Sequence, residues 1–317
     1  MWWGGTEMSA QIVVVGSLNM DMVVSLDHRP ERGETVLGTD FFMNVGGKGA
    51  NQAVAARKLG ATVAMVGKLG ADIFADQLLA SLEQVGVDCE AIEKVSGEAT
   101  GVAFVTLDRE GDNSIVVASG ANLRLTPEDV RKREDLIKQA KLLMVQLEIP
   151  LETVREAIAI ARRHQVPVLL DPAPAQPLPE ELLGMVDYIL PNEKEIAQLT
   201  GIQVTDQLTA KLAAVELIRK GVSTVFAKMG EKGVVVVNAN RTFFVEPYKV
   251  DAVDSTAAGD SFAGAVGAAL VGGKDVWAAA KFASAIGAIT ATRKGAQASM
   301  PMLDEAEQFI KQHAHNQ

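Results

Sequence analysis

The residues best suited to do chemistry form one short stretch, Asp254-Ser-Thr-Ala-Ala-Gly-Asp-Ser-Phe262. It joins a segment that predicts a strand, 243–253, to a run of small apolar residues, 261–271, which is typical of a buried helix. A glycine-containing turn that opens a helix presents free N–H groups, and the helix dipole favours negative charge there. Because Ala257, Ala258 and Gly259 have almost no side chain, a phosphate can approach their backbone closely.

Asp260 lies in the first turn of the predicted helix and has two interpretations. An acid at this place is electrostatically favourable, so a helix cap explains it without any function. Beside a phosphate site, a carboxylate is also placed to accept the proton of an attacking hydroxyl group. This stretch by itself leaves both interpretations open.

Two polar residues follow the first predicted strand, an apolar, β-branched run at 12–15 that ends at Gly16. They are Asn19 and Asp21. In open α/β sheets ligands bind beyond the carboxyl ends of the strands, which is where these side chains are expected. An ordinary Asx turn is the alternative.

A second glycine turn, Val45-Gly-Gly-Lys-Gly-Ala-Asn-Gln52, runs into an alanine-rich helix predicted over 53–59. It is not a P-loop, because no Ser or Thr follows Lys48 and the glycine spacing differs. The dinucleotide pattern GxGxxG is absent as well. The polar residues Lys48 and Asn51 on its first turn indicate recognition of hydroxyl groups.

Composition limits the class of protein. The chain has 317 residues, of which 48% are hydrophobic, enough for one large α/β domain with an appendage or for two domains. The net charge of −10 argues against nucleic acid or an acidic membrane surface as the main partner. The only cysteine, Cys89, excludes a disulfide framework and fits a cytoplasmic location. No apolar run approaches a membrane span, and we expect residues 1–9 to be a disordered extension.

Strands and helices alternate along most of the chain, with two exceptions. Residues 21–25 and 34–43 predict one hairpin, and residues 101–107 and 113–118 predict another, with no helix inside either pair. We expect the two hairpins to form one small sheet that covers the ligand site as a lid. Such a lid would exclude water during phosphoryl transfer, although its apolar face is also suited to sealing a dimer.

Taken together, these patterns resemble the ribokinase-like sugar kinases over nearly the whole chain, from residue 12 to about residue 310. The motifs that carry the resemblance are Gly16-Ser-Leu-Asn-Met-Asp21, Gly46-Gly-Lys-Gly-Ala-Asn51, Pro191-Asn-Glu-Lys-Glu195, Asp254-Ser-Thr-Ala-Ala-Gly-Asp260 and Thr292-Arg-Lys-Gly-Ala-Gln297. The resemblance implies a doubly wound, mostly parallel sheet with helices on both faces and a small β-sheet lid. The lid would comprise residues 19–43 and 99–119, and the main domain residues 10–18, 44–98 and 120–317.

The resemblance also implies a reaction, transfer of the γ-phosphoryl group of ATP to O5 of D-ribose. Asp260 would be the general base, and the N–H groups of Ala257, Ala258 and Gly259 would stabilise the transferred phosphoryl group. The sugar would be held by Asn19, Asp21, Gly47, Lys48, Asn51, Glu148 and Asp260. The nucleotide would contact Asn192, Glu195, Lys228, Gly230, Gly233, Gly259 and Ser284. For Asn192 a helix N-cap, for Glu148 a solvated loop acid, and for the two glycines ordinary turn chemistry remain alternatives.

Two ions are implied by the same resemblance. Mg²⁺ would be carried by the ATP phosphates with few direct protein ligands, and Glu195 would organise its water shell. A monovalent cation, usually K⁺, would bind Asp254, Thr256, Thr290, Arg293, Gly295 and Ser299, several of them through carbonyl groups. Without the resemblance, residues 292–299 are a plain polar loop.

Several alternatives stay open. The sugar could be deoxyribose or fructose instead, and Asn19 and Asp21 favour a substrate with adjacent ring hydroxyls because an unpaired buried polar group is costly. A non-catalytic sugar- or nucleotide-binding regulator is a second class, against which the intact Asp260 argues. An NAD-dependent oxidoreductase fits the sheet but lacks the glycine fingerprint. We further expect a homodimer through the lid.

Overall fold

The computed structural model describes residues 10–109 and 113–313. Their strands, in chain order, are β1 (Ile12–Val15), β2 (Asn19–Ser25), β3 (Asp40–Gly46), β4 (Val63–Gly70), β5 (Ile92–Val95), β6 (Gly101–Leu107), β7 (Asn113–Ala118), β8 (Leu142–Val145), β9 (Val168–Leu170), β10 (Tyr188–Ile189), β11 (Thr224–Lys228), β12 (Val234–Asn238) and β13 (Thr242–Val245). The N-terminal extension predicted at 1–9 lies outside the described residues.

The helices begin and end as follows: α1 (Lys48–Lys58), α2 (Ile73–Val85), α3 (Pro127–Arg131), α4 (Glu134–Gln139), α5 (Leu151–Arg163), α6 (Glu180–Leu183), α7 (Glu193–Thr200), α8 (Gln207–Arg219), α9 (Ala258–Val271), α10 (Val276–Ala291) and α11 (Leu303–His313). Within the described ranges, no helix is long and apolar enough to cross a membrane.

Nine strands form the large sheet, in the order β13-β12-β11-β10-β9-β8-β1-β4-β5. All neighbours are parallel except β12, which runs antiparallel to β11 and β13. Alternate residues of β1 point to opposite faces: Ile12 and Val14 pack with α1 and α9, and Val13 and Val15 pack with α5 and α8. Helices therefore cover both faces, which explains why the central strands are apolar throughout. The predicted doubly wound sheet is confirmed.

The two predicted hairpins form a separate four-stranded sheet in the order β3-β2-β6-β7. The outer pairs are antiparallel hairpins, and β2 joins β6 in parallel. Residues 110–112, between β6 and β7 in the chain, lie outside the described residues. We call this four-stranded sheet the lid sheet.

Two strand predictions were too long. The second strand of the first hairpin, predicted from residue 34, begins at Asp40, because β2 ends at Ser25, which pairs with Asp40 and leaves earlier residues no partner strand. The strand predicted over 243–253 ends at Val245. Pro247 follows two residues later and has no N–H to donate to a neighbouring strand.

Candidate active site

A cavity of ≈ 310 Å³ lies between the large sheet and one face of the lid sheet. Its polar and charged walls include Asn19, Asp21, Asn44, Lys48, Asn51, Glu148, Asp171, Asn192, Glu195, Lys228, Asp254 and Asp260. Gly47, Thr256, Ala257 and Gly259 also line it. Four of the five sequence motifs therefore meet at one cavity, although the chain separates their residues as widely as Asn19 and Asp260; the motif at 292–297 does not line it.

Asp260 lies in the first turn of α9 and is buried, with 7% of its surface exposed. One carboxylate oxygen, Oδ2, accepts a hydrogen bond from Asn51 Nδ2 at 3.0 Å, and the other, Oδ1, accepts one from Gln52 Nε2 at 3.2 Å. The N-cap residue of α9 is Ala257, which makes no side-chain cap bond. These contacts favour the functional interpretation of Asp260, because its side chain faces α1 and the cavity and does not cap its own helix.

Burial raises the pKa of Asp260. The Lys48 ammonium opposes this by stabilising the carboxylate, whereas the nearby Asp171 raises the pKa further. Asn51 and Gln52 also favour the ionised form by donating to it. The result is a carboxylate that holds a proton more readily than an exposed aspartate does, a property suited to a general base.

The turn before α9 has an unusual backbone. Ala257 adopts a left-handed conformation, with φ 59° and ψ 7°, which is costly for a residue with a Cβ atom. The Ala258 N–H donates to the Ser255 carbonyl at 3.1 Å, so it is engaged within the turn, although the sequence analysis assigned it to phosphate. Ala257 and Gly259 line the cavity. The left-handed turn therefore places two of the three predicted backbone positions at the cavity.

Asn19, Asp21 and Glu148 form the wall opposite, where the sugar was predicted. Glu148 Oε2 accepts from Ser17 Oγ at 2.5 Å, from Asn19 Nδ2 at 3.3 Å and from the Lys48 backbone N–H at 3.3 Å. Asn19 Oδ1 accepts from Asn122 Nδ2 at 2.8 Å. Asn19 thus lies in strand β2 and in a buried hydrogen-bond network, so the Asx-turn interpretation is wrong. Glu148 is held by three hydrogen bonds and is not a solvated loop acid.

Asp21 is the most perturbed acid on this wall. Burial raises the pKa of Asp21 to about 7, with further contributions from Glu148 and Asp260 and an opposing one from Lys48. Its carboxylate lies over Gly46, where a Cβ atom would come within 2.3 Å of Oδ2. The glycine is therefore required at this position for Asp21 to reach the cavity.

Lys48 is the buried cation among these acids. Burial alone would lower its pKa, but Asp260, Glu148, Asp171 and Glu195 outweigh this effect and raise the pKa of Lys48 above its usual value. The ammonium group stays charged and is available to a sugar or phosphate oxygen. Gly47, next to it, has φ 89°, a conformation that favours glycine.

Asn192 and Glu195 form a capping box at the start of α7. Asn192 Oδ1 accepts from the Glu195 N–H at 2.9 Å, and Glu195 Oε2 accepts from the Asn192 N–H at 2.7 Å. The N-cap interpretation of Asn192 is therefore confirmed. Both side chains also line the cavity, so a cap and a ligand contact are compatible here. Burial raises the pKa of Glu195, while Lys228 opposes this.

Of the other residues predicted to contact the nucleotide, not all line the cavity. Lys228, at the end of β11, reaches the cavity and donates from Nζ to Asp171 Oδ1 at 3.2 Å. Gly230 and Gly233 lie in the turn after β11 with φ of 54° and 92°, and neither lines the cavity. Ser284 Oγ on α10 is buried and makes no hydrogen bond. Such an unpaired hydroxyl is uncommon, but Ser284 does not line the cavity.

The predicted cation loop is partly assembled. Asp254 Oδ1 accepts from the Thr256 N–H at 2.9 Å, and Oδ2 accepts from the Gly295 N–H at 3.0 Å. The hydroxyl groups of Thr290 and Ser299 donate to carbonyls of Ile286 and Ala296. The Arg293 side chain pairs with Glu305. Residues 10–109 and 113–313 contain no group of three His, Cys, Asp or Glu side chains that could hold a metal.

Three residues of the cavity region were not assigned any role from the sequence. Asp171 follows β9 and lines the cavity, and Gln52 and Gln146 are fully buried behind it. The position of Asp171 at the carboxyl end of a buried strand was a usable signal, since Asn19 was predicted on the same ground. Gln52 stands next to Asn51 in the motif, but nothing in its spacing indicates its partners.

Comparisons with known proteins agree with this geometry. The sequence matches the pfkB family carbohydrate kinase description over residues 9–303. A ribokinase of Haemophilus influenzae is 42% identical, over 96% of this chain and 99% of that protein. A deoxyribokinase of Salmonella typhi is 38% identical, over 94% of this chain and 98% of that protein. The solved structure of Arabidopsis thaliana ribokinase complexed with ribose and ATP superposes with a TM-score of 0.90 at 32% identity, over 96% of this chain and 99% of that one.

Proposed function

The chain belongs to the pfkB family of carbohydrate kinases, and from this premise we propose that it transfers the γ-phosphoryl group of ATP to O5 of D-ribose. It is thus a phosphotransferase that acts on a sugar hydroxyl. The observation that carries the proposal is the position of Asp260. This buried carboxylate lies in the same cavity as Asp21 and Glu148 on the lid side and Asn192 and Glu195 on the other side.

The roles follow from the cavity walls. Asn19, Asp21, Lys48, Asn51 and Glu148 supply the acceptors and donors that a polyhydroxylated sugar needs. Asn192, Glu195 and Lys228 lie where a triphosphate would enter, and Ala257 and Gly259 offer backbone at the start of α9. Ser284 offers its unpaired hydroxyl to the nucleotide, and the turn with Gly230 and Gly233 lies alongside.

In the proposed reaction, Asp260 accepts the proton of the O5 hydroxyl as O5 attacks the γ-phosphorus. The new O5–P bond forms while the bond between the γ-phosphorus and the β–γ bridging oxygen breaks, and ADP leaves with that electron pair. Phosphoryl transfer of this kind depends on positioning and charge stabilisation. Lys48, which remains protonated, and the helix dipole of α9 stabilise the negative charge that develops in the transition state.

Mg²⁺ fits the oxygen-rich wall of the cavity near the place proposed for the ATP phosphates. Asp171 and Glu195 present carboxylate oxygens to the cavity, and this hard donor type suits Mg²⁺ directly or through its water molecules. When bound with ATP, the ion would neutralise phosphate charge. It also would offset the negative charge of these acids.

A monovalent cation, K⁺ in our proposal, would bind beside Asp254, with Thr256, Thr290, Arg293, Gly295 and Ser299 as the other candidates. The contacts from Asp254 to the N–H groups of Thr256 and Gly295 support this, since they bring two of the three chain segments together. The loop leads directly into the left-handed turn at Ala257. An ion here would therefore stiffen the turn that opens α9, and it would raise the melting temperature in K⁺ relative to Na⁺.

The lid sheet is the surface through which we propose that the protein binds a second copy of itself. Its cavity-facing side carries apolar residues beyond the polar sugar wall, including Phe42, Val105 and Ile115. We infer a homodimer in which lid sheets meet. We also infer a cytoplasmic location, because the substrate is ATP and the one cysteine, Cys89, is unpaired.

Deoxyribose is the second candidate substrate, because a deoxyribokinase is nearly as similar as the ribokinase. The half-buried carboxylates of Asp21 and Glu148 favour ribose, since a site built to bind a hydroxyl rejects an analogue that lacks it. The two sugars differ only in the 2-hydroxyl group, which deoxyribose lacks. Comparing kcat/KM for ribose and 2-deoxyribose therefore decides between them.

The test measures ADP release with Mg·ATP and D-ribose, 2-deoxyribose, D-fructose or no sugar, each in K⁺ and in Na⁺. We expect ribose-dependent turnover that is greater in K⁺. Asp260→Asn should lower kcat by about 10²–10⁴, as the loss of a general base does, with little change in KM. Turnover on another sugar would contradict the ribose assignment, and binding without any turnover would favour a regulator.

A further inference from the structure

The side chain of Gln52 lies at the centre of a buried polar network behind the cavity. It is on α1, next to Asn51, and is fully buried. Its Nε2 donates to Asp260 Oδ1 at 3.2 Å and to Asp171 Oδ2 at 2.9 Å. Its Oε1 accepts from Gln146 Nε2 at 2.6 Å. Both amide hydrogens and the amide oxygen are therefore engaged.

The two carboxylates fix the orientation of this amide. If the amide were turned over, its oxygen would face two acceptors, which have no hydrogen to donate when ionised. The orientation of Gln146 follows, because only its NH₂ group can donate to Gln52 Oε1. Consequently Gln146 Oε1 is buried without a partner.

The unpaired oxygen of Gln146 is informative because buried polar atoms are nearly always bonded. Gly16 leaves the space for it, since a Cβ atom there would lie 2.1 Å from Gln146 Oε1. A network retained only for stability would not be expected to leave such an atom unpaired. In this arrangement Gln146 supports the amide of Gln52, which donates to both acids.

The same network extends to the nucleotide side of the cavity. Asp171 uses its other oxygen, Oδ1, to accept from Lys228 Nζ at 3.2 Å. Lys228 Nζ also lies 3.7 Å from where a Cβ atom on Gly259 would be. One amide thus connects the carboxylate of Asp260 to a lysine that lies beside the start of α9.

We propose that Gln52 is a positioning residue for phosphoryl transfer, which holds the carboxylate of Asp260 in place and ties it to the Asp171–Lys228 pair. The inference rests on the proposed role of Asp260 as general base.

Charged groups face Asp260 from several elements: Lys48 on α1, Asp171 after β9 and Asp21 on β2. Glu195 and Lys228 complete the set on the nucleotide side, each coupled to Asp171. Asp171 and Gln52 act on Asp260 with opposite signs. The negative charge of Asp171 raises the pKa of Asp260, and the hydrogen bond from Gln52 lowers it.

The test uses Gln52→Met, which keeps the length of the side chain and removes its polar atoms, and measures kcat, KM and the pH profile of kcat/KM. We expect kcat to fall about 10- to 100-fold because the base is no longer held in its productive orientation, with KM for sugar and ATP nearly unchanged. The acid limb of the profile should move to higher pH. Asp171→Asn should move the same limb to lower pH.

Gln146→Leu is the graded comparison: it removes the donor to Gln52 Oε1 but leaves both hydrogen bonds from Gln52 to the acids, so its acid limb should move in the same direction as that of Gln52→Met and by less. Opposite shifts in Gln52→Met and Asp171→Asn support the inference, since general loosening of the fold cannot produce both signs. An unmoved limb, or shifts of the same sign, overturns it. If Gln52→Met fails to fold, Gln52→Asn takes its place: it keeps an amide but is one methylene shorter, so it should lose the bond to Asp260 and move the acid limb in the same direction. Failure of the proposed function is distinct, because the unsubstituted protein would then show no sugar-dependent turnover.

Discussion

Asp21 makes folding stability depend on pH in a direction opposite to that of most acids. Its folded pKa, about 7, lies above 3.8, the ordinary value for an aspartate. A raised pKa means that the folded protein binds the proton more tightly than the unfolded chain. The contribution to stability is therefore fully present below about pH 4 and is lost as the pH rises through 7.

From this we predict that Asp21→Asn stabilises the ligand-free protein at pH 8 but much less at pH 5. At pH 8 the substitution removes a buried charge beside Glu148 and Asp260. Each kcal/mol gained corresponds to roughly 2–4 °C in Tm for a domain of this size class. Melting curves at the two pH values check this, and Tm differences that are equal at both would contradict it. The same variant should bind sugar more weakly, since an amide replaces the carboxylate.

At the residue scale, the sequence motifs predicted which side chains line the cavity, but they did not predict hydrogen bonds between residues far apart in the chain. Asn19 was identified by its place after a predicted strand, and Lys48 and Asp260 were identified by the glycine-containing turns that hold them. Each of the three lines the cavity. The partners of Gln52 are 119 and 208 residues away in the chain. No local pattern encodes such contacts, because they arise only when α1, α9 and the end of β9 are packed together.

The packing of α1 against α9 is what brings Asn51 and Gln52 to Asp260. Gly264, in the middle of α9, permits the close approach. A Cβ atom there would lie 2.5 Å from Ala55 Cβ and 2.7 Å from the Gln52 carbonyl oxygen. Both atoms belong to α1, so any side chain at this position must separate the helices.

We therefore predict that Gly264→Ala lowers both stability and activity. Overpacking of this kind costs about 1–3 kcal/mol, and a small displacement of Asn51 and Gln52 should reduce kcat by about 10- to 100-fold. Urea unfolding and the kinase assay measure the two effects. Loss of stability with unchanged kcat would show that the helix contact does not position the base.

Gly287 on α10 provides the control. Its nearest non-local atom would lie 3.5 Å from an added Cβ atom, an ordinary contact distance. Gly287→Ala should therefore be neutral or stabilise the protein by about 0.5–1 kcal/mol, as expected for alanine in a helix interior. The contrast between the two glycines separates a packing effect from helix propensity.

At the element scale, the prediction succeeded where local signals were strong. The N-cap predicted at Asn192 was confirmed as a capping box that opens α7. The strands of both hairpins were identified, but β3 and β13 were predicted too long, because a strand ends where its neighbour ends. The short edge strand β5 was not predicted at all. Its four residues include Glu93 and Lys94 and carry no apolar run.

Considered as a whole, the molecule concentrates negative charge around the place where it must bind an anion. The cavity is lined by six acids, Asp21, Glu148, Asp171, Glu195, Asp254 and Asp260, and by two lysines, Lys48 and Lys228. The protein as a whole also carries a net charge of −10. A triphosphate therefore needs local compensation from Mg²⁺, backbone N–H groups and the two lysines, and the raised pKa of Asp21 reduces the repulsion further.

The lid sheet has a feature that the sugar site does not explain. Its cavity-facing side contains an apolar row across all four strands, Phe42, Val23, Val105 and Ile115, which pair in register. The sugar would contact the polar row next to it, which includes Asp21 and Asn44. Ile115 is 54% exposed at the end of the apolar row, and in the proposed homodimer a second lid sheet would cover it.

We predict that Ile115→Glu converts the dimer to a monomer and also weakens sugar binding, because a charge in the apolar row prevents the two sheets from meeting. Val116→Glu is the matched control: it is adjacent on β7, faces the opposite side and is even more exposed, at 68%. Light scattering at assay concentration measures the mass, and the kinase assay measures KM for the sugar. If Val116→Glu dissociates the dimer and Ile115→Glu does not, the other face of the lid sheet is the interface. A monomeric unsubstituted protein would contradict lid-mediated assembly altogether, and the apolar row would then require a different cover during catalysis.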